Sequence, residues 1–170
     1  IHSTIFSPQN DFVFMPDLGA DKIWCYAFDA SKKEPLQKFT AGDVTLKPGS
    51  GPRHLAFHPN KKFVYCIEEL SGMVSSYAYN KGIMTAIQRI ATHDSTNEGP
   101  FGSGDIHISP DGKFLYASNR AKENNIATFS IEKKNMRNLK LSQIVLAIDG
   151  DSIYKGCGLG FKECSEKQTC

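Results

Sequence analysis

His2 and Arg53 stand 51 residues apart, and so do Glu69 and Arg120. Two guanidiniums suit an anionic substrate, because their forked N–H groups bind carboxylate or phosphate through paired hydrogen bonds. They also suit an oxyanion that develops during acyl transfer. Glu69 or His2 could take a proton from water or from a carbon acid. His2, Glu69 and Arg120 are therefore candidate catalytic residues, and Arg53 with its neighbour His54 are candidate substrate-binding residues. No glycine-rich phosphate loop, serine-centred nucleophile elbow or metal-ligand cluster competes with them in the sequence. The expectation is chemistry without a metal or an organic cofactor.

Residues so far apart can cooperate only if the fold returns to one place at fixed intervals, and the chain does repeat. HSTIFSPQNDFVFMPDLGADKIWCYAF from His2, HLAFHPNKKFVYCIEELSGMVSSYAY from His54 and DIHISPDGKFLYASNRAKENNIATFSI from Asp105 align with one another. Pro8, Pro59 and Pro110 fall at intervals of 51 residues, as do Phe12, Phe63 and Phe114. Each unit reads as strands. Residues 54–57 predict a short first strand, FVYCIE a second, MVSSYAY a third and residues 83–91 a fourth. The reversals SPQN, HPNK and SPDG carry the Pro, Asn, Asp and Gly that tight turns need. No long segment has helical periodicity, so almost no helix is expected. A β-sandwich has no reason to repeat at a fixed interval, whereas four antiparallel strands per unit of about 50 residues describe a β-propeller blade. The fold class is all-β, with three blades over residues 1–148. Residues 149–170, GDSIYKGCGLGFKECSEKQTC preceded by Asp149, match no blade. The phenylalanine of each unit is expected to be buried and its SP or HP turn exposed. Three blades leave open edges, which predicts self-association and suggests part of a larger propeller.

In a propeller, residues at one repeat position lie on a circle around the axis. The first strand of a blade lines the central channel and runs antiparallel to the second. The start of the first and the end of the second therefore share one mouth of the channel, where His2, Arg53, Glu69 and Arg120 gather. Strand alternation sends Glu68 to the opposite face from Glu69. Lys122 and Glu123 read as solvated loop ends, His107 as a packed core histidine and His58 as an exposed turn residue.

The composition narrows the partners. A net charge of +2 gives no electrostatic footprint for nucleic acid, and the KK pairs at 32–33, 61–62 and 133–134 are too scattered to track phosphates. No apolar stretch approaches the ~20 residues of a membrane helix, and no cleavable signal is visible. Cys25 and Cys66 sit in strand-like runs as small hydrophobes. Cys157, Cys164 and Cys170 lack the spacing and the histidine partner of a zinc site. Nothing demands an oxidising compartment, so the cytoplasm is the expected location.

GPRHLAFHPNKKFVYCIEEL and SPDGKFLYASNRA strongly resemble the seven-bladed lactonase propellers. That family includes propeller-type 6-phosphogluconolactonases and fungal 3-carboxy-cis,cis-muconate lactonizing enzymes. The resemblance covers about residues 1–148, some three of seven blades. Family members use a His, two Arg and a Glu at the channel mouth. By motif these match His2 in IHS, Arg53 in GPRH, Glu69 in EEL and Arg120 in SNRA. The resemblance implies a metal-independent lactonase acting on an anionic sugar lactone such as 6-phosphogluconolactone. The alternatives are a cycloisomerase that forms such a ring, or a non-catalytic propeller fragment.

Overall fold

The computed structural model describes residues 1–121, 123–132 and 139–146. Its strands form three antiparallel sheets in chain order. The first sheet contains β1 (Ile5–Phe6), β2 (Phe12–Asp17), β3 (Lys22–Phe28) and β4 (Leu36–Lys38), with the short β5 (Val44–Thr45) also paired to β3. The second contains β6 (Pro52–Phe57), β7 (Phe63–Glu68), β8 (Met73–Asn80) and β9 (Ile83–Ala91). The third contains β10 (Ser103–Ile108), β11 (Phe114–Asn119), β12 (Asn125–Ile131) and β13 (Leu139–Leu146). These are the three blades, and a single 3-10 turn at Thr40–Gly42 is the helical structure among the described residues. The final segment, with Cys157, Cys164 and Cys170, lies outside those residues, as does Lys122.

The blades stack face to face, and period-2 alternation decides what each face buries. Phe14, Ile23 and Cys25 of blade 1 pack against Leu55, Val64 and Cys66 of blade 2. Tyr65, Ile67 and Val74, on the other face of blade 2, pack against Leu115, Ala117 and Phe129 of blade 3. Burial of β7 is therefore nearly continuous, whereas β11 alternates between buried and exposed because only one of its faces meets a described blade. Burial, reinforced by the Asp43 charge, pushes the Cys25 thiol up to about 12, so it packs as an apolar group.

The repeated phenylalanine departs from expectation. Phe12 and Phe63 are half-buried, and Phe114 is 39% exposed. The position faces the following blade: Phe12 packs into the core between blades 1 and 2, and Phe63 into that between blades 2 and 3. The corresponding face of blade 3, with Phe114, Tyr116 and Ile126, meets nothing among the described residues. The turns also differ in detail. Pro59 and Pro110 are exposed, but Ser7 is buried because its hydroxyl bonds Asp11 and caps the backbone N–H groups of Asp11 and Phe12.

His58 is buried, not exposed. Its Nδ1 accepts from the Asn60 N–H at 3.1 Å, leaving Nε2–H to donate to the Gly112 carbonyl at 3.0 Å. The histidine thus replaces the serine turn and also bridges blades 2 and 3. Gly112 has φ +70°, and a Cβ there would lie 2.7 Å from the His58 ring, so the close approach needs glycine.

A second repeat position holds the linkers. Glu68 and Asn119 both end their second strand, and both reach buried polar groups. Asn119 bonds Thr92, Ser103 and Asn125 at 2.8–2.9 Å, which ties the blade 2–3 connection to β12. Glu123 continues this network by accepting from Asn97 and Asn125, so it is not simply a solvated loop end. Glu68 is fully buried and accepts from Ser71, Ser75 and Arg89, the Arg89 Nη2 contact being 2.7 Å. Burial raises its pKa, but the Arg89, Ser75 and Ser71 hydrogen bonds and the Arg89 charge outweigh that and hold it below the ordinary glutamate value.

Two stability measurements follow from this packing. Phe14→Ala should lower unfolding free energy by about 3–5 kcal/mol in urea titration, with Phe14→Leu costing under about 2 kcal/mol, because the side chain is fully buried between blades. Arg89→Ala should cost about 3 kcal/mol at neutral pH by leaving the buried Glu68 carboxylate uncompensated. Because the folded-state pKa of Glu68 is depressed, its stabilisation is fully present above the unfolded value of about 4.3. It is lost as pH falls through the lower folded value. The gap between wild type and Arg89→Ala should therefore narrow between pH 7 and pH 3; a constant gap would contradict the pairing.

Candidate functional site

The second strand of each blade ends where the first begins, and this end of blades 2 and 3 carries the charges. Arg53 and His54 lie within β6, which begins at Pro52 and not at residue 54 as expected. Pairing explains how two adjacent residues can serve one site. Pro52 opposes Glu68 and His54 opposes Ile67, so Arg53 is an extra residue in the ladder, a β-bulge. A regular strand would send Arg53 and His54 to opposite faces. At the bulge, Arg53 Nη1 comes to 3.0 Å from His54 Nε2. The matched stretch of β10 also shifts register, between Ser103 and Ile106.

Glu69 follows β7 directly and is held by its backbone. Its N–H donates to Gly51 at 2.7 Å and its carbonyl accepts from Ser103 at 3.2 Å, joining the entries of blades 2 and 3. Its carboxylate then bridges the two arginines. Oε2 accepts from Arg53 Nε at 2.9 Å, and Oε1 from Arg120 Nη2 at 2.5 Å. Arg53 also donates through Nη1 to the Gly104 carbonyl at 2.5 Å. Arg120 follows β11 and donates through Nε to Gly102 at 3.1 Å. Arg53 is largely buried, whereas the Arg120 side chain is 52% exposed.

Three histidines, His2, His54 and His107, extend from this cluster. The ring of His2 tilts against that of His54, with centroids 5.1 Å apart, and His2 itself is exposed. Nearby, the Ser3 hydroxyl donates to the Arg53 carbonyl at 2.7 Å. His54 Nδ1 lies 3.1 Å from Asp105 Oδ1, and His107 Nε2 lies 2.9 Å from Asp105 Oδ2. Burial and the adjacent Arg53 charge lower the His54 pKa against the opposing pull of Asp105, so at neutral pH its contact with Asp105 is a hydrogen bond and not an ion pair. His107 is not the packed core residue expected. Its side chain is 76% exposed, because it lies on the alternate face of β10 from the buried Ile106. A groove of about 440 Å³ runs between the first strands of blades 2 and 3, lined among others by His54, Asp105, His107, Ile5 and Pro110.

All five candidate residues thus meet at one mouth, four in a continuous hydrogen-bonded set and His2 by ring contact. Glu68 points to the other face of β7, toward blade 1. Asp105 and Gly104 were missed from the sequence, although the repeat frame marked them. Asp105 shares a repeat position with Ser3 and His54, and Gly104 with His2 and Arg53. Glycine at 104 has a steric cause: a Cβ would lie 2.8 Å from Ser118 Oγ and 3.5 Å from Arg120 Nε. Among the described residues no group of three or more His, Cys, Asp or Glu is arranged to hold a metal ion. No helix among them is long and apolar enough to cross a membrane.

Chemically, the arrangement is a carboxylate gripping two donors that come from different blades. An incoming anion can compete for guanidinium N–H groups, and a carbonyl beside them would be polarised. Known proteins with related chains carry the same architecture. A chain described as 6-phosphogluconolactonase from Formosa agariphila is 49% identical over 138 residues, which is 79% of this chain and 38% of that one. Another of that description, from Serratia proteamaculans, is 38% identical over 121 residues, 70% of this chain and 36% of that one. The solved periplasmic gluconolactonase of Pseudomonas aeruginosa superposes with a TM-score of 0.81 at 35% identity, over 85% of this chain and 40% of that one. The chain therefore spans less than half the length of each of these three relatives. The profile of the family described as "Lactonase, 7-bladed beta-propeller" matches residues 1–149. With that match over most of its length, the chain belongs to the seven-bladed β-propeller lactonase family.

Proposed function

We propose that this propeller serves a lactonase that hydrolyses an anionic sugar lactone such as 6-phosphogluconolactone without a metal ion. The observation that carries this reading is the Glu69 carboxylate bridging Arg53 and Arg120 from two blades. Relatives described as 6-phosphogluconolactonase support the substrate class. Arg53, the less exposed of the two, anchors the substrate's anionic group. Arg120 lies toward solvent, where its guanidinium would stabilise the oxyanion that forms when water adds to the lactone carbonyl.

Once the substrate takes up the Arg120 hydrogen bond, Glu69 Oε1 is released to accept a proton from the attacking water, while Oε2 stays on Arg53 Nε. Water oxygen bonds to the carbonyl carbon, and the carbonyl π pair becomes the oxyanion. Collapse of that intermediate breaks the ring C–O bond. The departing alkoxide takes back a proton from the glutamic acid, and the product is an open hydroxy acid. His2, beside His54, is the second candidate for proton transfer. Cytoplasmic placement remains part of this proposal. The free, buried thiols Cys25 and Cys66 accord with it, while a relative described as periplasmic carries the same fold.

In the full-length protein, Arg53→Ala should abolish most binding of 6-phosphogluconolactone, seen as a KM raised at least ~100-fold. Glu69→Gln should leave binding largely intact while lowering kcat by about 10²–10⁴-fold. His2→Ala should fall between them. Turnover should survive EDTA treatment. Normal turnover by both Glu69→Gln and Arg53→Ala would overturn the reading.

A further inference from the structure

We propose that Asp105 is a positioning residue for this reaction: from blade 3 it fixes the tautomer of His54, and through it the aim of the Arg53 guanidinium. The inference rests on the lactonase reading for its kinetic consequence but not for its structural one. Its basis is the chemistry of the two groups that flank the imidazole. A carboxylate has only lone pairs and a guanidinium only N–H donors. Asp105 Oδ1 lies 3.1 Å from His54 Nδ1, so that nitrogen carries the proton. Arg53 Nη1 lies 3.0 Å from His54 Nε2, so that nitrogen presents its lone pair. The opposite tautomer would set lone pair against carboxylate and N–H against guanidinium. An imidazolium would place an N–H against Arg53.

Asp105 is itself fixed. Its carboxylate accepts from the Ile106 N–H at 2.9 Å through Oδ1 and from His107 Nε2 at 2.9 Å through Oδ2. The count of Arg53 donors then gives the consequence. Nε is held by Glu69, and the two hydrogens of Nη1 by the Gly104 carbonyl and His54 Nε2. A guanidinium has five N–H groups, so the two on Nη2 remain, and among the described residues they have no protein acceptor. Those two are presented to the substrate in a fixed plane. Without Asp105, only Arg53 still favours the Nδ1–H form, the Nε2–H form becomes populated, and in that form Nη1 loses its acceptor and the plane loosens. A bidentate anion contact is sensitive to that loss.

The test combines ¹⁵N NMR of histidine-labelled full-length protein with kinetics on 6-phosphogluconolactone. In wild type at neutral pH, His54 should show a protonated Nδ1 and an unprotonated Nε2. Asp105→Ala should populate the Nε2–H form and raise KM by about 10-fold while kcat changes less than about 3-fold. Asp105→Asn, whose amide oxygen can still accept from Nδ1–H, should keep the wild-type tautomer and stay within about 3-fold of the wild-type KM. The proposal is overturned by a wild-type His54 protonated on Nε2, a measurement that needs no variant to fold and no turnover. It is equally overturned if Asp105→Ala shifts the tautomer and leaves KM unchanged, or if Asp105→Asn behaves as Asp105→Ala. Absence of lactone turnover in wild type would remove the substrate reading and leave the tautomer result to decide the geometry.

Discussion

Face-to-face burial between consecutive blades is the constraint on which the other features depend. Each sheet has two sides, and period-2 alternation assigns odd residues of β7 to blade 3 and even residues to blade 1. A shift of one residue would exchange Tyr65 and Ile67 with Val64, Cys66 and the buried carboxylate of Glu68. The two cores therefore lock the register of β7 against its neighbours. A locked register, repeated at 51 residues, brings Glu69 and Arg120 to matched strand ends. Interface polar groups then complete the stack, with His58 crossing to Gly112 and Asn119 holding the Thr92 linker.

The site is a local departure from that regularity. Arg53 occupies a bulge in β6, and the extra residue turns both its side chain and that of His54 toward Glu69 and Asp105. Gly104, at the matched position of blade 3, lacks the Cβ that would press on Ser118 and Arg120, and its carbonyl receives Arg53. Blade 2 supplies the carboxylate and one guanidinium, and blade 3 supplies the second guanidinium and Asp105. Neither blade could form the cluster alone. Stacking that stabilises the fold also sets the distance between the charged groups.

Much of this was legible in the residues. Prolines and phenylalanines at a constant interval revealed the blades, and the same interval predicted that His2, Arg53, Glu69 and Arg120 share one end. What was hidden depended on contacts between repeats. His58 looked like a turn residue until blade 3 placed the Gly112 carbonyl beside it. His107 looked like a core residue because it lies within the first strand of its blade, yet alternation turns it outward while Ile106 is buried. Phe114 matched Phe12 and Phe63 in sequence, but burial at that position depends on the next blade. Asp105 carries no local motif, and its partner His54 is 51 residues distant. Bulges, too, leave little trace in a single sequence, since Gly104 reads as an ordinary loop glycine until a Cβ is placed beside Ser118.

We propose that the paired guanidiniums across the blade 2–3 boundary form an anion-binding site for a lactone. A crystal structure of the full-length protein with 6-phosphogluconate, the hydrolysis product of the proposed substrate, tests it most directly. One anionic group of the ligand should lie within hydrogen-bond distance of Arg53 Nη2, with Arg120 contacting the ligand from blade 3 and Glu69 facing its carboxyl carbon. A well-ordered ligand bound elsewhere, with the Glu69 bridge to Arg53 and Arg120 unchanged, would contradict it.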